Sequence, residues 1–314
     1  MTTYTITGGA GFIGSHLADA LLAAGCRVRV LDDFSTGRAE NLDPRCEVLR
    51  GDICDPAAMR RALLGASGCF HLAAIASVVR ANEDWPGTHR VNLGGTITVL
   101  DAARALGGLP VVYASSAAVY GDLEGVAHED TAPMPRTAYG ADKLGSEQHA
   151  RVGLLVHGVP SVGLRFFNVY GPRQDPSSPY SGVISIFASA IVAGRPVTLH
   201  GDGTQTRDFV FVADVVAHLM AGMQHLGDRP GAHVLNVCTG RETSVQELAL
   251  AIGVVSQRDP VIRRGPARVG DIGRSVGSPV LAAVTLGINA GVLLADGLAA
   301  TLAPLIQQQS LQRA

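Results

Sequence analysis

Apolar and polar positions run in two alternating rhythms through the first half of the chain. Short β-branched stretches are followed by segments with apolar residues at helical spacing. Thr2 to Thr7 opens as a strand, and Phe12, Leu17, Leu21 and Ala24 then repeat as one helix face before Gly25 closes the helix. Further strands are predicted at Arg27 to Asp32, Glu47 to Arg50, Cys69 to Leu72, Val111 to Ser115 and Pro160 to Arg165. Helical stretches such as Pro56 to Leu64 and Val91 to Leu106 separate them. This alternation specifies an α/β fold: a doubly wound parallel sheet of Rossmann type, with right-handed crossovers placing helices on both faces. After Phe167 the rhythm breaks into a Gly/Pro/Ser-rich loop from Gly171 to Gly182. A shorter set follows: a helix from Ser181 to Ala193, a strand from Val197 to His200 and a helix from Ser244 to Ile252. The expected division is a dinucleotide domain over 1–168 and a smaller α/β substrate lobe over 169–314, with segments near 208–225 packing back on the first domain.

Charge narrows the class. The 25 Lys and Arg nearly balance 27 Asp and Glu and neither sign forms a long run, so no footprint for nucleic acid or anionic lipid is visible. The five cysteines are scattered without a C-x-x-C pair, which suits a reducing cytoplasm better than a disulfide framework or zinc site. The N-terminus does not resemble a secretory signal, and the apolar stretch Leu286 to Ile306 is broken by Asp296 and glycines, so no membrane span is expected. His16, His71 and His200 fall on separate elements without ligand spacing, and no metal is assigned.

The segment Thr7-Gly-Gly-Ala-Gly-Phe-Ile-Gly14 lies between a strand and a helix. Glycines there let the backbone turn tightly and approach a pyrophosphate at the helix N-terminus. Asp32 ends the second strand, where a carboxylate accepts adenosine ribose hydroxyls and repels a 2′-phosphate. NAD is therefore favoured over NADP, with Arg38 the one nearby feature that could soften the preference. Asp52 and Ile53 follow the third strand and either hold the adenine or begin a helix cap. Leu72, Ala73 and Ala74 end the fourth strand with mostly small residues against which a cofactor can lie.

Tyr139 and Lys143 are four residues apart, hence on one helix face, where an ammonium lowers the pKa of a phenol and makes it a usable base. The spacing alone is common on protein surfaces. Ser116 stands at the carboxyl end of a predicted strand, where doubly wound sheets bind ligands; alternatively it bonds its own loop.

The motifs TGGAGFIG, YASSAAVYG, YGADK, LRFFNVYGPRQDP, GDGTQTRDFVFV and RVGDI resemble the extended short-chain dehydrogenases, and among them the UDP-sugar 4-epimerase group, from Thr5 to about Leu286. The resemblance implies a Tyr139 phenolate that removes the 4-hydroxyl proton, Ser116 bridging that hydroxyl, and Lys143 holding the nicotinamide ribose. It implies NAD contacts at Gly8, Gly11, Phe12, Ile13, Gly14, Asp32, Asp33, Ser35, Thr36, Gly37, Asp52, Ile53, Leu72, Ala73, Ala74, Asn92, Ser115 and Phe166, besides Tyr139 and Lys143. It places a UDP-sugar at Ser77, Ser116, Tyr139, Asn168, Arg207, Arg268, Asp271 and Ser275, the arginines as forked donors to the diphosphate. Relatives dimerise through the helices Val91 to Leu106 and Tyr139 to His157, so a homodimer is expected.

Three positions bear on the substrate. Related dehydratases and decarboxylases carry a carboxylate where Ala117 and Ala118 stand, and alanine moves no proton; many epimerases have a threonine at Ala118. Uronate-specific relatives have a basic residue where Asp175 stands, and an aspartate would repel a substrate carboxylate. Ser275 occupies the position beside the sugar C2 substituent, where a small residue admits an N-acetyl group; equally, it is a loop serine of no consequence. Conversion of UDP-glucose, UDP-galactose and their N-acetylamino counterparts is the expected activity. The alternatives are a 4,6-dehydratase or reductase on the same scaffold, or a non-enzymatic NAD-sensing regulator.

Overall fold

A computed structural model describes residues 1–175, 182–267 and 272–313. The first half runs β1 (Thr3–Thr7), α1 (Phe12–Ala23), β2 (Arg27–Asp32), β3 (Glu47–Arg50), α2 (Pro56–Leu63), β4 (Gly68–His71), α3 (Val78–Glu83), α4 (Trp85–His89), α5 (Gly95–Ala105), β5 (Val111–Ser116), α6 (Ala138–His157) and β6 (Ser161–Phe166). The remainder runs β7 (Asn168–Tyr170), α7 (Val183–Val192), β8 (Val197–His200), β9 (Thr206–Arg207), β10 (Phe209–Phe211), α8 (Val212–Asp228), β11 (Ala232–Val237), β12 (Thr243–Ser244), α9 (Val245–Ser256), β13 (Ile262–Gly265), β14 (Arg274–Ser275), α10 (Val280–Leu286) and α11 (Leu294–Arg313).

The helix starts follow local chemistry. Asp55, Ser77, Asp84 and Thr137 each accept a first-turn N–H of α2, α3, α4 and α6, and Ser244 with Glu247 forms a reciprocal capping box on α9. The predicted helix from Val91 begins instead within a π turn, Arg90–Gly94, that joins α4 to α5. Asn92 lies in that turn, and its amide is drawn inward to the backbone of Ile75.

Seven parallel strands form the central sheet in the order β11-β6-β5-β4-β1-β2-β3. One face carries Leu17 and Leu21 of α1 with Val215, Leu219 and Met223 of α8, packed on Ile6, Phe70, Val112 and Val162. The other buries Met59 and Leu63 of α2, Val99 and Ala103 of α5 and Ala150 of α6 against Leu31, Cys69, Val111 and Tyr113. The seventh strand, β11, is absent from the sequence reading. It pairs Ala232–Val237 with Ser161–Phe166 only because α8 carries the chain back across the sheet. No local periodicity announces which edge a six-residue strand will join.

A second core gathers Ile184, Ile191, Leu199, Leu248, Ile252, Leu298 and Leu302 from α7, β8, α9 and α11, with Tyr170 and Phe209 at its border. Short ladders connect the two cores: β7 pairs with β10, and β9 is flanked by β12 and β14. The carboxyl ends of β1, β2, β4 and β5 open at the crevice where α/β sheets bind ligands.

Candidate active site

The glycine turn follows β1, and sterics dictate its composition. Gly8 has φ +70°, and a Cβ there would stand 2.7 Å from the Ala73 nitrogen; one on Gly14 would stand 2.3 Å from the Gly8 carbonyl oxygen. The β1 end, the start of α1 and the Leu72–Ala74 segment therefore meet without side chains between them. Gly11 precedes α1 with no capping side chain, and the first turn holds no acidic residue, so its N–H groups and positive dipole end are available to an anion. Such a bare cradle suits a dinucleotide pyrophosphate.

Asp32 sits beside this turn, 6% exposed. Its carboxylate accepts from the Ala10 and Phe34 N–H groups, each at 2.9 Å. Burial raises its pKa, while these two bonds pull it down. Asp33 holds Ser35 through both the backbone N–H and the hydroxyl, and Thr36 is exposed next to them. Gly37 lies so close to Asp32 that a Cβ would be 2.8 Å from Oδ1. The 32–37 loop thus closes over the carboxylate.

Other residues of the expected set spend their side chains on the scaffold. Asp52 accepts from the Cys54 N–H and from Arg90, whereas the cap of α2 is Asp55; Ile53 is buried against Gly95. Ser115 donates to Glu147 at 2.5 Å, Ser77 caps α3, and Phe166 belongs to the first core. Phe12 and Ile13, by contrast, are half-buried at the head of α1.

Ser116 ends β5, and its Oγ accepts from the Ala118 N–H at 3.1 Å as the chain enters a turn over Ala117–Val119. That turn fits against the start of α6: a Cβ on Gly140 would lie 2.6 Å from the Ala118 carbonyl oxygen. The close approach sets Tyr139, half-buried, against the Ser116 turn. Burial raises the phenol pKa, and the polar Ser116 side chain pulls it down. Lys143, one turn on, has its ammonium 5.8 Å from the Tyr139 ring centroid and donates to the Ala114 carbonyl at 2.8 Å. Burial lowers the Lys143 pKa to about 8, against the opposing pull of the Asp142 and Glu147 carboxylates.

On the far side of the crevice, Asn168 donates its backbone N–H and its side-chain amide to the Asp208 carbonyl. Arg207 and Ser275 are register partners across β9 and β14, and the Arg207 guanidinium donates to the Thr206 carbonyl at 2.8 Å. Arg268 and Asp271 lie outside the described residues. Asp175 forms an ion pair with Arg38 on the loop after β2.

Three supporting residues escaped the sequence reading. Asp208, fully buried, accepts from the Thr239 N–H and hydroxyl and from the Gly240 N–H, pinning the loop after β11 to the Arg207 strand. Glu147 and Arg165 form a buried bidentate pair at 2.9 and 2.8 Å beneath Ser115. A signal for Glu147 was present, since it continues the Tyr139–Lys143 face by one more turn; Asp208 and Arg165 left none.

His71 is buried between the Thr7 and Thr96 hydroxyls, and burial with the nearby Lys143 charge lowers its pKa to about 3. His16 and His200 bond the Pro172 and Pro266 carbonyls. Among the described residues no group of three or more His, Cys, Asp or Glu side chains is placed to hold a metal ion, and no helix is long and apolar enough to cross a membrane.

The model of the NAD dependent epimerase/dehydratase family matches residues 4–238, a span that includes the glycine turn, Ser116, Tyr139 and Lys143. The chain belongs to this family. Within it, the chain is similar to a UDP-glucose 4-epimerase of Mycolicibacterium smegmatis, 41% identical over 309 residues, covering 94% of this chain and 96% of the relative. A Thermus thermophilus UDP-glucose 4-epimerase solved with NAD superposes with a TM-score of 0.88 at 36% identity, over 96% of this chain and 98% of that one. A UDP-N-acetylglucosamine 4-epimerase of Methanobrevibacter ruminantium superposes at 0.92 with 30% identity, over 98% and 99% of the two chains. The family match spans the central sheet, and the similarity to the Mycolicibacterium smegmatis relative, over 94% of this chain, reaches into the second core as well.

Proposed function

We propose that this family member is a UDP-hexose 4-epimerase that inverts C4 through a transient 4-keto sugar with tightly held NAD. The observation that carries the reading is the juxtaposition of Ser116, at the carboxyl end of β5, with Tyr139 at the head of α6, Lys143 one helical turn away and a glycine cradle at the carboxyl end of β1. A bound NAD would supply the hydride acceptor and donor for C4. The glycine turn, Asp32 and the Asp33–Gly37 loop hold its pyrophosphate and adenosine ribose, and Leu72 to Ala74 form the wall beside them. Tyr139 as phenolate accepts the 4-hydroxyl proton and later gives it back, while Ser116 orients that hydroxyl. Lys143 holds the nicotinamide ribose by donating to it. Asn168, Arg207, Arg268, Asp271 and Ser275 bind the nucleotide and the sugar C2 side, with residues 1–168 carrying the cofactor and 169–314 mainly the sugar nucleotide.

The turn over Ala117–Val119 offers no carboxylate, which speaks against a 4,6-dehydratase. Ser275, small and half-buried beside Arg207, supports acceptance of N-acetylamino sugars. Exposed Ile97 on α5 and Val152, Leu155 and Val156 on α6 support a homodimer through these helices. A cytoplasmic setting agrees with free cysteines throughout.

The test is incubation of the protein, without added NAD, with UDP-glucose, UDP-galactose and their N-acetylamino counterparts in deuterium oxide, followed by proton NMR. All four sugars are expected to interconvert with their C4 epimers and to incorporate no solvent deuterium at C4 or C5. Turnover of the plain hexoses alone would remove the N-acetyl assignment. Loss of water would indicate a dehydratase, and bound NAD without any conversion a regulator.

A further inference from the structure

Arg38 is the cation best placed to attract a 2′-phosphate, yet its guanidinium is engaged by Asp175 from a distant part of the chain. Both residues are anchored by their surroundings. The Arg38 N–H donates to the Ala10 carbonyl at 3.0 Å, and Asn41 donates to the same oxygen, so the Arg38 backbone is fixed on the glycine turn itself. Gly37, immediately before it, is wedged between the Ala10 methyl and the Asp32 carboxylate, with room for no side chain. Arg38 therefore roots one residue from the shelf over Asp32, the group that receives the adenosine ribose.

Asp175 is delivered by a segment tied down at successive points. The Pro172 carbonyl bonds the His16 ring at 3.0 Å, and Arg173 pairs with Asp19 at 2.7 Å, both on α1. Gly171 sits so close to Val212 that a Cβ would fall 2.5 Å from its Cγ1. An exposed ion pair between two free-swinging side chains is worth little. Here the 171–175 segment is already held on α1 when it presents Asp175 to Arg38, so the pair forms with less ordering cost.

We propose that Asp175 is a determinant of dinucleotide choice: by engaging Arg38 it withholds the guanidinium from a 2′-phosphate and leaves the Asp32 carboxylate to select NAD. This rests on the NAD reading above. Two acidic groups then share the discrimination. Asp32 repels the phosphate directly, and Asp175 occupies the cation that would offset that repulsion. The balance is electrostatic, so a neutral isostere at 175 releases Arg38 without opening a cavity.

The experiment is a competition on the full-length protein as purified. Wild type, Asp175→Asn, Arg38→Met and the double variant are incubated with excess NAD and NADP together until the bound ratio is constant. Free dinucleotide is then removed, the protein denatured and the released cofactors quantified by chromatography. Asp175→Asn is expected to raise the bound NADP/NAD ratio roughly two- to fivefold, the upper part of the range for one partly exposed charge contact. Arg38→Met should lie at or below the wild-type ratio, and the double variant should match Arg38→Met. An unchanged ratio in Asp175→Asn overturns the proposal, as does a rise that survives in the double variant. Equal loss of both dinucleotides from Asp175→Asn also overturns it, because the residue would then retain the cofactor rather than select it. Wild type holding neither dinucleotide would remove the NAD reading itself; wild type holding NAD with a flat ratio across the variants removes only this proposal.

Discussion

Replacing Tyr139 with Phe is expected to lower the turnover number by about 10²–10⁴-fold, the usual loss when one positioned acid–base group is removed. The substitution deletes a single hydroxyl and keeps the ring. Packing at the start of α6 against Ala118 is preserved, so NAD content and the thermal midpoint should stay near wild type. A fall in activity with cofactor retained separates loss of chemistry from loss of fold; activity within tenfold of wild type would remove Tyr139 from the mechanism. The pH profile adds a second reading. Only the phenolate accepts a proton, so the rate declines as pH falls below the phenol pKa. The Ser116 side chain lowers that pKa against the raising effect of burial. Ser116→Ala removes the lowering influence, and the rising limb of the profile should move to higher pH as the maximum rate drops. A limb that moves to lower pH would contradict this account of Ser116.

Arg165→Met is expected to cost about 3–5 kcal/mol of stability, because it leaves the Glu147 carboxylate buried without its counter-ion. The two side chains are 6% and 4% exposed. Arg165 also donates to the Tyr120 hydroxyl at 2.8 Å, and Tyr120 in turn donates to Asn236 at 2.7 Å on β11. One substitution therefore loosens β5, α6, β6 and β11 together. Unfolding followed by circular dichroism should show a midpoint lower by roughly 5–10 °C, taking a few degrees per kcal/mol for a chain of this size. Adding Glu147→Leu should recover part of the loss, since a buried pair exchanged for apolar side chains of similar size is often nearly neutral. A single variant melting within a degree of wild type would show that the pair contributes nothing net.

These two expectations differ in how visible their residues were in the sequence. Tyr139 and Lys143 stood out as candidates because helical geometry turns a four-residue spacing into a shared face. The glycine turn was found because close backbone approach excludes side chains at Gly8 and Gly14. The first six strands of the sheet followed from β-branched runs bounded by turns. Arg165 reads as one charged residue in an apolar run, and only the fold reveals that it faces Glu147 across the sheet–helix interface.

What the sequence determined by itself was the set of local geometries: the alternating strands and helices, the anion-accepting start of α1, and the alignment of Tyr139 with Lys143. Those depend on backbone sterics and on periods of about two and 3.6 residues, which are written in neighbouring positions. The tertiary structure alone decided the partners. It placed β11 beside β6, tied Asp208 to Thr239 and Gly240, brought the head of α6 against the turn after Ser116, and set Asp175 against Arg38. Buried polar groups must find partners wherever the packed chain delivers them, and that delivery follows from how whole layers fit together. No spacing along the chain encodes it.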